Sequence, residues 1–193
     1  MPKRLSPKTY HRKPRFGFTL VEVMISVALA AVILVAAFNL LWQVLMTQTK
    51  SLAMREVQQN ARLAIRRMEV EIRNASGVKT GVGESVFGAH PGKLTLDFPG
   101  DGTDVVFDSA TTSIPLGSAT TTIRTLRVKV GSGAPIDLTN THVDVQNLVF
   151  TNFTRAGGLS VIRVDSTFVA VNPGGDSTRE AIFSIAESIS VRR

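Results

Sequence analysis

The feature that most constrains this chain is a run of 27 residues, Val23 to Thr49, with no charged side chain. Just before it stands one carboxylate, Glu22, and before that Arg15-Phe16-Gly17-Phe18-Thr19-Leu20-Val21. At 1.5 Å per residue, a helix of that run is roughly 40 Å long, more than a hydrocarbon core of about 30 Å. The segment therefore reads as membrane-spanning, over about residues 20–46. An ionisable group at membrane depth is costly and normally has a partner and a task. Glu22 is that group.

Charge is placed unevenly around the run. Residues 1–17 hold Lys3, Arg4, Lys8, Arg12, Lys13 and Arg15, and no acid. The formal charge of the whole is +7, so the chain without this leader stands near +1. The basic balance is thus no argument for a nucleic-acid-binding domain. Basic residues flanking an apolar helix mark its cytoplasmic side. The expectation is an N-terminus inside, a single pass, and a C-terminal bulk outside the cytoplasm.

There is no cysteine. Disulfides, Cys-based zinc sites and thiol nucleophiles are excluded. His11, His90 and His142 are scattered without metal-ligand spacing and read as solvated surface residues. Metal, cofactor and catalytic residues are accordingly expected to be none, and the chain is not expected to be an enzyme.

Three zones follow. Residues 1–17 are a basic leader, residues 18–75 one long helix, and residues 76–193 a β-rich head. Neither Gly nor Pro falls between Phe18 and Gly77. In the second half of the helix Val57, Ala61, Ala64 or Ile65, Met68 and Ile72 form an apolar stripe at three- and four-residue spacing. Arg67 with Glu71, and Glu69 with Arg73, are spaced for helix-surface ion pairs. The stripe predicts packing against the head. Within the head, strands are expected near 93–98, 104–108, 125–130, 142–153, 159–171 and 181–191. Asp108 to Thr122 and Asn172 to Thr178 read as loops. The simplest arrangement is α+β, one antiparallel sheet packed on the lower half of the helix.

Simpler readings of the N-terminus leave features unexplained. A cleaved secretory signal has an apolar region of about 7–15 residues and a small-residue cut site, and this run is about twice that. A plain signal anchor fits the length and the charge asymmetry, but not Glu22 or the Gly17-Phe18 junction. Gly17-Phe18-Thr19-Leu20-Val21-Glu22-Val23-Met24-Ile25 resembles the cleavage and methylation motif of the type IV pilin and pseudopilin family. In that motif Gly precedes the cut, Phe begins the mature chain and Glu is its fifth residue. The resemblance implies cleavage after Gly17, N-methylation of Phe18 and an assembly role for Glu22. It also implies a pilin-like fold and, as partners, other pilins, a prepilin peptidase and an inner-membrane assembly platform.

The physics of the motif is membrane electrostatics. Cutting removes six cations and frees an α-amine at the tip of an apolar helix. Glu22 then has a candidate partner in the Phe18 amine of a neighbouring subunit. Small residues such as Ser26, Ala28, Ala30 and Ala31 let helices approach closely.

Within the family, Asn60-Ala61-Arg62-Leu63-Ala64-Ile65-Arg66-Arg67-Met68-Glu69-Val70-Glu71-Ile72-Arg73 resembles W-type minor pilins (PilW) and J-type pseudopilins of type II secretion. Val145 to Phe150 resembles their late strand and Ile185 to Arg193 their closing strand. Other features carry less. Asp101-Gly102-Thr103-Asp104 has too few ligands for a calcium loop. Gly81-x-Gly83 and Gly131-x-Gly133 lack what a phosphate loop needs. Asp165 and Asp176 show no catalytic companion. Trp42 reads as an interfacial anchor. Lys93, Arg124, Arg127 and Lys129 would suit nucleic acid in a competence pilus, but alternating charges on a wetted strand face account for them. The competing class is a monomeric, membrane-tethered binding domain, such as a DNA-uptake or adhesion receptor.

Overall fold

In the computed structural model, residues 17–98, 103–116, 119–154, 158–172 and 180–191 are described. Residues 1–16 of the leader, the Asp101-Gly102 turn, Asp176 and most of the expected 172–178 loop lie outside them. The chain divides into two compact units, Met1–Val44 and Leu45–Arg193.

Helix α1 runs Leu20–Asn74. Thr19 caps it: its Oγ1 accepts the Glu22 N–H at 3.2 Å, satisfying one of the orphan donors of the first turn. In the N-terminal unit, none of the apolar window is buried. Phe38 and Trp42 stack with ring centroids 6.5 Å apart.

In the C-terminal unit α1 buries one stripe: Val57, Ala61, Ala64, Ile65, Met68 and Ile72. These are the residues the three- and four-residue spacing singles out. Glu69–Arg73 pair at 2.6 Å, and Arg67 pairs with Glu71. The helix is then tied off on the sheet. Ala75 N–H donates to Glu71 O, and Ser76 donates to Asp97 O through both its N–H and its hydroxyl.

The β part differs from the expected single sheet. Five strands form one sheet in the order β1-β2-β3-β4-β5, and three form a second, β6-β7-β8. They are β1 Gly77–Val78, β2 Leu94–Asp97, β3 Val105–Leu116, β4 Ala119–Val130, β5 Ile136–Asp137, β6 Val143–Asn152, β7 Val161–Ala170 and β8 Ile182–Ser190. All strand pairs are antiparallel. One core joins α1 to both sheets through Leu94, Leu96, Phe107, Leu126, Leu148, Phe150, Ile162 and Phe168.

The expected loop at Asp108–Thr122 is a correction. It forms most of a long hairpin, with β3 and β4 paired from Val105↔Val130 to Leu116↔Ala119. Its outer part, Thr111 to Ser113 and Thr120 to Thr122, is mostly exposed, so no apolar alternation announces a strand. β-branched threonines suit an extended, half-wetted pair all the same. Nearer the core, Arg127 grips Asp108 through two bonds, Nε–Oδ1 3.0 Å and Nη2–Oδ2 2.9 Å. The hydrogen bond to Asp108, outweighing burial, raises the Arg127 pKa.

A bulge at Gln146 explains the apolar pattern of β6. Register shifts between Val145 and Asn147, so Val143 and Val145 before it, and Leu148 and Phe150 after it, all face the core. A strap then stitches β6 to the segment before β2. Phe87 bridges Phe150, Gly88 N–H donates to Phe150 O, and Gly92 N–H donates to Leu148 O at 2.8 Å. A Cβ at Gly92 would lie 2.9 Å from both Leu148 O and Phe150 Cδ2, so the close approach needs glycine.

Two predictions follow from this packing. Met68 is fully buried. Met68→Ala should therefore destabilise the C-terminal unit by about 2–5 kcal/mol, read by thermal unfolding of the β-sheet circular dichroism. The second concerns Lys79, whose Nζ lies 2.7–2.8 Å from the Asp104 carboxylate. That hydrogen bond and then the Asp104 charge raise its pKa above 10.5, against desolvation. A raised pKa means the contribution is complete below 10.5 and fades as pH climbs through the folded value. The stability gap between the native chain and Lys79→Met should shrink above pH 10.5 in an unfolding series.

Candidate processing and assembly site

Gly17 and Phe18 precede the cap, and both are exposed, Phe18 by 80 %. A Cβ built on Gly17 meets no atom within 4 Å, and its backbone is not in the left-handed region. The fold therefore does not require glycine here. Any demand for a small residue comes from outside the chain.

Glu22 lies in the first turn of α1, where a carboxylate complements the partial positive charge of the helix N-terminus. Its N–H is held by Thr19, and its carbonyl accepts the Ser26 hydroxyl at 2.8 Å. Both bonds use backbone atoms. Among the described residues no side chain pairs with the Glu22 carboxylate. The sequence reading missed Thr19: Thr19-Leu20-Val21-Glu22 has the spacing of a capping box, a signal present in the string. Thr19 fixes where the helix begins, and with it the height of Glu22 relative to Phe18.

Gly17, Phe18, Thr19 and Glu22 thus fall within two turns at one helix tip. What the tip offers is an exposed Gly17-Phe18 junction ahead of the helix, an apolar surface and a carboxylate available for an external cation. Residues 12–38 match the family model described as the prokaryotic N-terminal methylation motif. The chain carries a prepilin-type motif. The match spans 27 of 193 residues and includes Gly17, Phe18 and Glu22. It supports a type IV pilin-like chain that a prepilin peptidase processes, and with the apolar helix it supports anchoring in the inner membrane. No curated protein and no solved structure matches the chain.

Elsewhere the candidate residues are engaged locally. Arg163 Nε bonds Asp165 Oδ1 at 3.0 Å. Asp104 takes Lys79, so a cation already sits where a calcium loop would need one. Of the basic strand residues, Arg127 is held by Asp108, Lys93 donates to Gly83 O and Arg124 meets His90. Lys129, the fourth, is exposed and has no side-chain partner among the described residues. His90 Nδ1 accepts the Leu148 N–H at 2.9 Å, while His142 contacts Glu56 Oε1 at 3.1 Å. Both histidines are exposed, as read from the sequence, yet each also makes a structural contact. Among the described residues no group of three His, Cys, Asp or Glu could hold a metal.

Because nothing surrounds Gly17, Gly17→Leu should leave the thermal midpoint of the C-terminal unit unchanged within about 0.5 kcal/mol of stability. Circular dichroism of the full chain in neutral detergent checks it.

Proposed function

We propose that the protein is a minor pilin or pseudopilin, a structural subunit and not an enzyme. It inserts with its N-terminus in the cytoplasm, is cut after Gly17, is methylated at Phe18 and assembles through the N-terminal part of α1. The head, residues 76–193, stands outside the cytoplasm and makes contacts within a filament tip or initiating complex. The segment Asn60 to Arg73 favours a W-type pilin or a J-type pseudopilin of type II secretion. Partners on this reading are other pilins or pseudopilins, the peptidase and the assembly platform.

One observation carries it: an apolar helix with no internal burial bears a processing motif at its tip and a carboxylate without a side-chain partner. Magnitudes support the pairing. A carboxylate costs about 2.5–3.5 kcal/mol at the bilayer centre on insertion scales, and less at the end of the span where Glu22 stands. An opposite charge 4 Å away contributes about 4 kcal/mol at an effective dielectric of 20, against about 1 kcal/mol in water. An amine freed at Phe18 of a neighbouring subunit thus offsets the burial of Glu22, and only at the matching axial height.

Glu22→Ala separates this reading from a monomeric tether. It should remove the protein from the assembled, shearable fraction at least tenfold while leaving it in the membrane with a folded head. A tether would be indifferent to the change, and unchanged incorporation would contradict the proposal.

A further inference from the structure

A groove of about 720 Å³ opens along α1 beside its buried stripe, in the C-terminal unit. Its helix wall carries Arg55, Arg62, Leu63, Arg66 and Val70, and Leu138 beside β5 forms the other side. Arg55, Arg62 and Arg66 recur at seven and four residues, and Leu63 and Val70 at seven, so a row of arginines and an apolar row run side by side as one stripe. Leu63 is 62 % exposed and Val70 48 %.

The charges in this stripe are uncompensated. From Leu45 to Asn74 the chain has six cations, Lys50, Arg55, Arg62, Arg66, Arg67 and Arg73, and three carboxylates, Glu56, Glu69 and Glu71. Every carboxylate is taken. Glu56 accepts from Asn140 Nδ2 at 2.9 Å and meets His142, Glu69 pairs with Arg73, and Glu71 pairs with Arg67. Arg55, Arg62 and Arg66 have no ion pair or hydrogen-bonding partner among the described residues. They stand beside bare leucine and valine at a regular pitch.

We propose that this groove docks an amphipathic helix of a different protein chain, one bearing carboxylates spaced to meet Arg55, Arg62 and Arg66 and apolar side chains that cover Leu63 and Val70. Each element of that occupant answers something present. Carboxylates are the fork-shaped acceptors that guanidinium groups bind best. The exposed leucine and valine call for apolar cover, which a phosphate backbone does not supply. The helical pitch of the stripe suits ridges of another helix laid along it. A second copy meeting this face with its own would set three free arginines against three more, and like charges across an interface are repelled. Lipid reaches the near end at most: Arg55 is nine residues past Met46, about 14 Å along the helix, but Arg62 and Arg66 are sixteen and twenty past it, about 24 and 30 Å. This inference concerns the C-terminal unit and stands whether or not Glu22 pairs as proposed.

The test uses the full chain in neutral detergent and a synthetic twenty-residue amphipathic helix. Its polar face carries glutamates at i, i+7 and i+11, and its apolar face is leucine. Fluorescence anisotropy should show the acidic peptide binding at least tenfold more tightly than the same peptide with lysines. Arg55→Glu/Arg62→Glu/Arg66→Glu should weaken it at least tenfold. Leu63→Ala should weaken it several-fold while keeping the salt slope. These side chains have no partner in the fold, so unchanged circular dichroism is expected for each variant. Because the native chain lacks cysteine, Leu63→Cys gives a single thiol, and copper-phenanthroline oxidation should yield no disulfide dimer. Equal binding of the two peptides, tighter binding of a twenty-base-pair duplex, or efficient Leu63→Cys dimers would each overturn the proposal.

Discussion

An apolar helical segment that finds no burial in its own chain must find it elsewhere, and the one carboxylate in its first turn must find a cation there too. The core of the C-terminal unit runs from Val57 to Val191 and draws nothing from the charge-free window. The window's side chains are free to meet lipid and, on the proposed reading, other helices after assembly. Such an exchange is nearly neutral in hydrophobic terms, because lipid tails are as apolar as leucine. Specificity then falls to the polar exception, Glu22, and to the cap that sets its height.

Helix α1 changes its surface as it proceeds. Up to about Met46 it is apolar all round, as a span requires. From Val57 onward it is divided into a buried stripe and a charged face. On that face Glu69 and Glu71 neutralise Arg73 and Arg67, while Glu56 is drawn to Asn140 and His142. Intrahelical pairing and tertiary contact thereby use up all the acid and leave three arginines over. The surplus is a consequence of geometry: Arg55, Arg62 and Arg66 have no free carboxylate three or four residues away.

How much was legible depended on how local the cause was. The buried stripe of α1 and its two ion pairs are properties of 3.6-residue spacing and could be read directly. β2, β6, β7 and β8 show apolar alternation or β-branched content. The outer β3–β4 hairpin has β-branched threonines but no apolar alternation, since Thr111 and Thr122 face water, and its strands exist because each is the other's partner. β1 and β5 are two-residue pairings with no sequence signature. Division into two sheets is a matter of strand order, which no local pattern encodes. At the helix tip, Gly17, Phe18 and Glu22 were visible as a motif, and Thr19 was overlooked although its spacing to Glu22 is a capping signal. The arginine groove was hidden because arginines among glutamates look paired until geometry assigns each glutamate.

The most direct measurement is the intact mass of the protein recovered from membranes of its host with processing active. Processing after Gly17 predicts a mature chain that begins at Phe18 and carries one added methyl group on the Phe18 amine. A chain that still holds Met1 to Gly17 would leave Glu22 without its cation and contradict the account.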